Sequence, residues 1–296
     1  MAFGLRTHKM EDYIGIEKVV HGLRWGALHN GYFSDPTVAR PLVNVAIGVL
    51  AKSQADVIVD LGGGTGFLLS QLASKGVCAA AALMDVDCSE AQLALIDGAT
   101  GISPVRVPIE DFRRSDVATE DQRLFLMMRS VLHYLGENGL LPLLRHLRDQ
   151  AKEGEFFVHQ SASFENEEEA ACLNALYRHM RTLKWYPTVN DLKRRLVDSG
   201  WRVTDTISAP SLLLTSDDLS QRYALDARYL AHIRDMMAIE FGGMNSIFRL
   251  TPSGFNADLH YQIFTCVATS HGLPDTSQIE SNEPNHCLQA TAGRIT

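Results

Sequence analysis

Between residues 56 and 161, short apolar runs alternate with stretches whose apolar residues recur every three or four positions. The runs near 56–61, 78–85, 103–107, 123–128 and 155–161 predict strands, and the periodic stretches between them predict helices. Strand and helix in alternation predict an α/β fold: a mostly parallel sheet with helices on both faces. Ahead of this block, Ile14, Ile16, Val19, Val20 and Leu23 predict a helix over Tyr13–Leu23. The aromatic stretch from Trp25 to Phe33, broken by Gly26 and Gly31, predicts a turn-rich connector. Asp35-Pro36 then opens a helix through Ala51, with proline in the first turn where its missing N–H costs nothing. Ser89-Glu90-Ala91-Gln92 and Thr188-Val189-Asn190-Asp191 have the form of capping boxes. A strand is predicted at 201–207, a helical segment of about 50 residues at 209–254, and a closing strand over Tyr261–Val267. The polar stretch after Gly272 predicts a disordered tail.

Composition narrows the function classes. A formal net charge of −8 over 296 residues and the lack of a long Lys/Arg run argue against a nucleic-acid substrate, because a polyanion is normally met by a basic surface. Cys78, Cys88, Cys172, Cys266 and Cys287 are scattered, with no C-x-x-C pair; they predict reduced thiols rather than a disulfide frame or a metal site. No apolar run reaches transmembrane length and no signal-peptide h-region opens the chain. The expectation is a soluble, globular, cytoplasmic protein with no membrane partner; whether it forms a homo-oligomer is left open.

The chemistry concentrates where the first strand ends. Val57-Ile58-Val59-Asp60-Leu61 runs straight into Gly62-Gly63-Gly64-Thr65-Gly66, and a helical pattern (Leu68, Leu69, Leu72) follows. A glycine turn between strand and helix lets backbone N–H groups approach a ligand closely. The dinucleotide fingerprint G-x-G-x-x-G fails here, since its third glycine would fall on Phe67 or Leu69. What remains, G-x-G-x-G behind an acid, resembles motif I of the class I S-adenosylmethionine-dependent methyltransferases. The resemblance spans roughly 57–205 and 261–269. It implies a Rossmann-like, mostly parallel seven-stranded sheet with an antiparallel last strand, in a domain over 53–270 that carries the 209–254 helical insertion. Residues 1–52 would form a helical N-terminal lid, and 271–296 the tail.

That resemblance also suggests roles. Asp60, Gly62, Gly63, Gly64 and Gly66 would hold S-adenosyl-L-methionine, with Asp60 near its amino-acid end. A carboxylate ending the second strand would grip the ribose: Asp85 has the better spacing from Asp60 and is preferred, while Asp87, in Asp87-Cys88-Ser89, better matches the family's D-x-S. Glu110 and Asp111 lie where the family contacts adenine, although Pro108 replaces its usual aspartate. Arg129, at the end of the fourth strand, joins the cofactor candidates. His133, in Val131-Leu132-His133, matches a segment that supplies a general base in natural-product O-methyltransferases, where an Asp-Trp pair follows instead of Tyr134-Leu135, and that is structural in many other members; a pocket-lining role is the preferred expectation. His159, within the fifth strand, is a second catalytic candidate or a buried structural imidazole. Trp25, Tyr32, Phe33 and Tyr134, with the two histidines, would line the acceptor site. Neither N-P-P-Y nor a Pro-Cys dipeptide occurs, which disfavours the base-methylating relatives. The expected activity is methyl transfer to an O or N nucleophile of a small molecule. A protein methyltransferase and a non-catalytic cofactor-binding subunit are the rivals.

Overall fold

A computed structural model of the chain describes residues 29–76 and 80–270; the expected helix at 13–23, Trp25 and the tail after 270 lie outside them. Eight strands form one sheet: β1 (Val57–Leu61), β2 (Ala82–Asp87), β3 (Ile102–Arg106), β4 (Leu124–Arg129), β5 (Phe156–Ala162), β6 (Trp201–Thr215), β7 (Phe248–Leu250) and β8 (Phe255–Ala268). Their order is β3-β2-β1-β4-β5-β8-β6, with β7 paired to β8. The pairs among β1–β5 are parallel, whereas β8 runs antiparallel between β5 and β6. The expected seven-stranded arrangement is therefore present, and the short β7 is an eighth strand.

Every residue of β1 and β4 is buried, as strands covered on both faces require. Helices α1 (Pro36–Ser53) and α2 (Phe67–Ala73) cover one face, where Leu42, Val43, Leu68 and Leu72 meet Ile58, Phe125 and Val158. The four-residue α3 (Glu90–Leu93) follows β2. Helices α4 (Gly136–Gln150) and α6 (Val189–Asp198) cover the opposite face with Leu140, Leu144, Leu147, Leu192 and Leu196. Burying each such leucine stabilises the fold by ~1.5–3 kcal/mol. The caps are where the sequence puts them: Asp35 Oδ1 accepts from the Thr37 amide at 2.7 Å, and Thr188 Oγ1 from Asp191 at 3.1 Å.

Helix α5 (Glu167–His179), α7 (Ser216–Tyr223) and α8 (Ala227–Phe241) build a further apolar cluster with β7 and the start of β8, and Tyr32 and Phe33 pack into it. The insertion is thus narrower than 209–254, because β6 continues to Thr215. Leu212 and Leu214 are buried while Leu213 between them is exposed, a strand period. Pro210 is accommodated because β6 is the sheet edge, and the register shifts there.

At the amino end of the sheet, Glu155 shows how this protein satisfies a buried carboxylate. Its two oxygens accept four hydrogen bonds of 2.8–2.9 Å, from Arg114 Nη1 and Nη2 and from the Leu124 and Lys152 amides. The opposite end of the sheet is built differently.

Candidate functional site

In open α/β sheets ligands bind beyond the carboxyl ends of the strands. There β1 hands over to the glycine turn, with Gly62, Gly64 and Gly66 at φ of 72°, 69° and 72°. A side chain at Gly64 would be strained by that φ and would also place its Cβ 2.2 Å from Gln92 Oε1. Val131 packs on the same turn from the β4 side, its Cγ2 2.6 Å from where a Gly62 Cβ would stand.

Beneath the turn two carboxylates face each other across the sheet. Asp60 on β1 and Asp85 on β2 are register partners, and both are fully buried. None of their four oxygens completes a hydrogen bond. A Cβ on Gly63 would sit 2.6 Å from Asp85 Oδ2 and 2.8 Å from Asp60 Oδ2, so only glycine fits between them. Burial raises the Asp60 carboxyl well above the ordinary carboxylate range. The charges of Asp85 and Asp87 add to this, and Arg129 opposes it. Burial and the Asp87 charge push Asp85 up to about 7, tempered by the Gly66 amide. Unmet buried acceptors of this kind single out a candidate functional site.

Asp87, two residues on, sits higher. It is half-buried, its Oδ1 accepts from the Ser89 amide at 2.7 Å, and its Oδ2 lies 3.9 Å from the Gly64 Cβ position. Burial raises its carboxyl too, and the Ser89, Gly64 and Cys88 amides hold it back. Asp87 thus lies beside Gly64, and Asp85 beneath Gly63. Glu110 and Asp111 are exposed, on a turn closed by the Asp111 amide donating to the Pro108 carbonyl at 2.9 Å, with Ile109 buried just before them.

Arg129 points away from the turn toward the N-terminal connector. Its Nη1 donates to the Phe33 carbonyl at 3.1 Å and its Nη2 to that of Tyr32 at 3.3 Å, while the guanidinium lies over both rings, 5.4 and 5.5 Å from their centroids. Tyr32 in turn stacks on Tyr261 at 5.9 Å and accepts from Gln160 Nε2 at 3.4 Å. Ser130, next to Arg129, holds a left-handed φ of 61°, and its hydroxyl meets the Tyr261 hydroxyl at 2.7 Å. Strain of this sort, kept in place by a buried contact, clusters at functional sites.

The two histidines are placed very differently. His159 is fully buried, its ring between Phe157 (4.6 Å) and Phe264 (5.0 Å), with Nδ1 2.8 Å from Ser161 Oγ. Burial lowers its pKa to about 3, so the imidazole is neutral and inside the sheet. His133 sits in the short turn after β4, its ring 4.3 Å from that of Tyr134 and 5.3 Å from that of Tyr186. Behind Tyr134 lies a group that the sequence did not single out. Lys184 Nζ is 4.4 Å from the Tyr134 ring centroid and 2.7 Å from the Tyr223 hydroxyl, and Arg222 Nη2 donates to the Tyr134 hydroxyl at 2.8 Å. The site thus draws on β1, β2, the turn after β4, the α5–α6 connection and α7.

Neither a protein-family model nor a curated protein matches the sequence. Solved structures do. A protein of Bacillus halodurans C-125, whose methyltransferase assignment is itself provisional, superposes with a TM-score of 0.59 at 11% identity, over 77% of this chain and 99% of that one. The YcgJ protein of Bacillus subtilis gives 0.56 at 10% identity, over 79% and 100%. The 1,6-didemethyltoxoflavin-N1-methyltransferase of Burkholderia thailandensis, solved with 1,6-didemethyltoxoflavin and S-adenosylhomocysteine, gives 0.50 at 15% identity, over 88% and 90%. The chain has the class I methyltransferase fold.

Within that fold, the residues present suit S-adenosylmethionine. The glycine turn leaves no side chain between its backbone and a ligand, and the unmet carboxylates below it attract positive charge. Asp87 offers an acceptor at the rim. No described helix is long and apolar enough to cross a membrane.

Proposed function

We propose that this chain moves a methyl group from S-adenosylmethionine to an oxygen or nitrogen of a small molecule, in the cytoplasm and without a nucleic-acid partner. The observation that carries the reading is the turn itself: Asp60 and Asp85 keep unmet acceptors beneath glycines 62–66, at the sheet end where ligands bind. The fold supports it, and so does a relative of that fold solved with S-adenosylhomocysteine and a small molecule. The acidic charge of the chain and its buried, unbridged Cys172 and Cys266 fit the remaining parts of the reading.

In this reading the turn amides and Asp60 hold the amino-acid end of the cofactor, and Asp87, rather than Asp85, accepts from the sugar. When bound, the cofactor supplies the electrophilic methyl carbon, and that chemistry is its own. The protein's part is alignment and exclusion of water, and alignment can be worth up to ~7–11 kcal/mol in well-oriented systems. Tyr32 and Phe33, pinned by Arg129, shield one side, and Tyr134 and Tyr186 flank the acceptor. In this reading His133 takes a proton from a hydroxyl acceptor, a role worth ~10²–10⁴-fold. We assign His159 no chemical step, because its ring is enclosed by phenylalanines and stays neutral.

Calorimetry with S-adenosylmethionine and S-adenosylhomocysteine tests the cofactor, with Gly64→Val as the variant that should lose both. Incubation of cell extract with methyl-tritiated cofactor and the protein tests the acceptor. Label in the small-molecule fraction is expected. Label confined to protein would overturn the small-molecule part, and failure of the folded protein to bind either nucleoside would overturn the whole reading.

A further inference from the structure

The contrast between Glu155 and the Asp60–Asp85 pair has a chemical meaning. Glu155 is buried with four donors on its two oxygens. Asp60 and Asp85 are buried with no completed hydrogen bond and only the Gly66 amide near Asp85, and one point, the Gly63 Cβ position, lies 2.8 Å from an oxygen of the first and 2.6 Å from an oxygen of the second. Those oxygens are therefore no further apart than the two distances together. Two buried carboxylates this near each other resist ionising together, so one is held protonated to a higher pH than a lone surface acid.

The charged groups around the pair do not supply enough positive charge. From β2 comes Asp87, a third carboxylate. From β4 comes Arg129, whose terminal donors go to the carbonyls of Tyr32 and Phe33 and whose field only partly offsets the others at Asp60. The connector contributes the Tyr32 phenol, itself raised to about 12 by burial and so neutral. Helix α3 contributes the neutral Gln92, and the turn contributes the Gly66 amide.

We propose that Asp60 and Asp85 share one proton in the ligand-free protein and release it to solvent when the ammonium of the cofactor's amino-acid end arrives. One carboxylic O–H bond breaks, the proton passes to buffer, and two carboxylates face the incoming cation. Asp85 is then a positioning residue, acting through Asp60. This rests on the cofactor reading above, extending it to the coupling of binding with protonation.

The test is calorimetric titration of the full chain with S-adenosylmethionine in buffers of different ionisation heat, across the pH range. Near pH 6, proton release should approach one per cofactor bound, and affinity should rise about tenfold per pH unit; both effects should fade above about 7, where Asp85 is already ionised. S-adenosylhomocysteine, which keeps the ammonium, should release as much. Asp85→Asn should bind with a pH dependence moved to lower pH, because only burial and Asp87 still raise Asp60. As a readout free of ligand, the infrared band of a protonated carboxyl should be present in the wild type near pH 6 and should titrate at lower pH in this variant; an unmoved band would overturn the coupling of the two acids. Binding at pH 6 with no proton released would overturn the proposal while leaving the cofactor reading intact, whereas absence of binding at every pH would sink that reading instead. Release with S-adenosylmethionine but not with S-adenosylhomocysteine would overturn the assignment to the ammonium.

Discussion

Asp85→Asn should stabilise the ligand-free protein, and by an amount that depends on pH. The side chain keeps its shape in a space bounded by Gly63, Gly66 and Asp60, loses its ability to ionise, and gains an N–H that can donate to Asp60. In the folded chain the Asp85 carboxyl titrates near 7 instead of its ordinary 3.8. The folded state therefore binds more protons than the unfolded one between those values. For a carboxyl raised by folding, the associated stability is present below the unfolded pKa and is lost as pH climbs through the folded one. Three powers of ten in proton affinity, at ~1.4 kcal/mol each, make that loss up to about 4 kcal/mol by pH 8. Because the two acids titrate as a pair, the figure belongs to the pair rather than to one oxygen. Urea unfolding of wild type and variant side by side at pH 4.5, 6 and 8 isolates the effect, since carboxylates remote from the pair cancel in the difference. The variant's advantage should be smallest at pH 4.5 and grow steadily to pH 8. A variant equally destabilised at all three values would show that the pair carries no electrostatic burden, and would remove the physical basis for the shared proton.

Three further outcomes follow from the same geometry. Gly64→Val forces a side chain into a φ of 69° and against Gln92, costing ~1–2 kcal/mol in backbone strain alone; calorimetry should show at least a hundredfold loss of cofactor affinity. Arg129→Met removes two charge-assisted hydrogen bonds to the connector, each worth ~1.5–3 kcal/mol, so amide exchange at Tyr32 and Ser34 should quicken by about two orders of magnitude, and unchanged protection would refute the anchoring role. His159→Phe keeps an aromatic ring between Phe157 and Phe264 but loses the contact to Ser161; turnover should survive with a cost of ~1–3 kcal/mol from the orphaned hydroxyl, and loss of turnover with cofactor binding intact would make the imidazole chemical after all.

The sheet was legible because its central strands are buried on both faces and so read as unbroken apolar runs: Val57-Ile58-Val59 and Leu124 to Met128 admit no other reading at that length. The end of β6 was not legible. Ser208, Pro210 and Ser211 have the composition of a loop, and only the place of β6 at the sheet edge, set by a partner some fifty residues downstream, lets proline remain in a strand. The partners of Arg129 were hidden for a related reason. It ends a strand beside the glycine turn, where a cofactor contact is the natural expectation, yet its donors go to backbone carbonyls 96 and 97 residues away. Carbonyls carry no residue-type signal, so no scan of side chains could have found them.

The two acids of β2 show where spacing stops and register takes over. Residues two apart point the same way from a strand, so Asp85 and Asp87 both face the turn, and counting from Asp60 can rank them but cannot say which one lies under it. Pairing decides. Asp60 lies level with Asp85, and the Gly62 amide already donates to the Val86 carbonyl at 2.7 Å, so the chain of β1 turns over Asp85 before it reaches the level of Asp87. The acid with the better count is thereby the one buried beneath the turn, and the one that best matches a D-x-S pattern lies beyond it. What the buried acid retains is its charge, close enough to Asp60 that neither can be understood alone. A lone aspartate ending β1 would be a binding group of fixed charge; doubled beneath a residue that has no side chain, it becomes a site whose charge depends on what is bound above it.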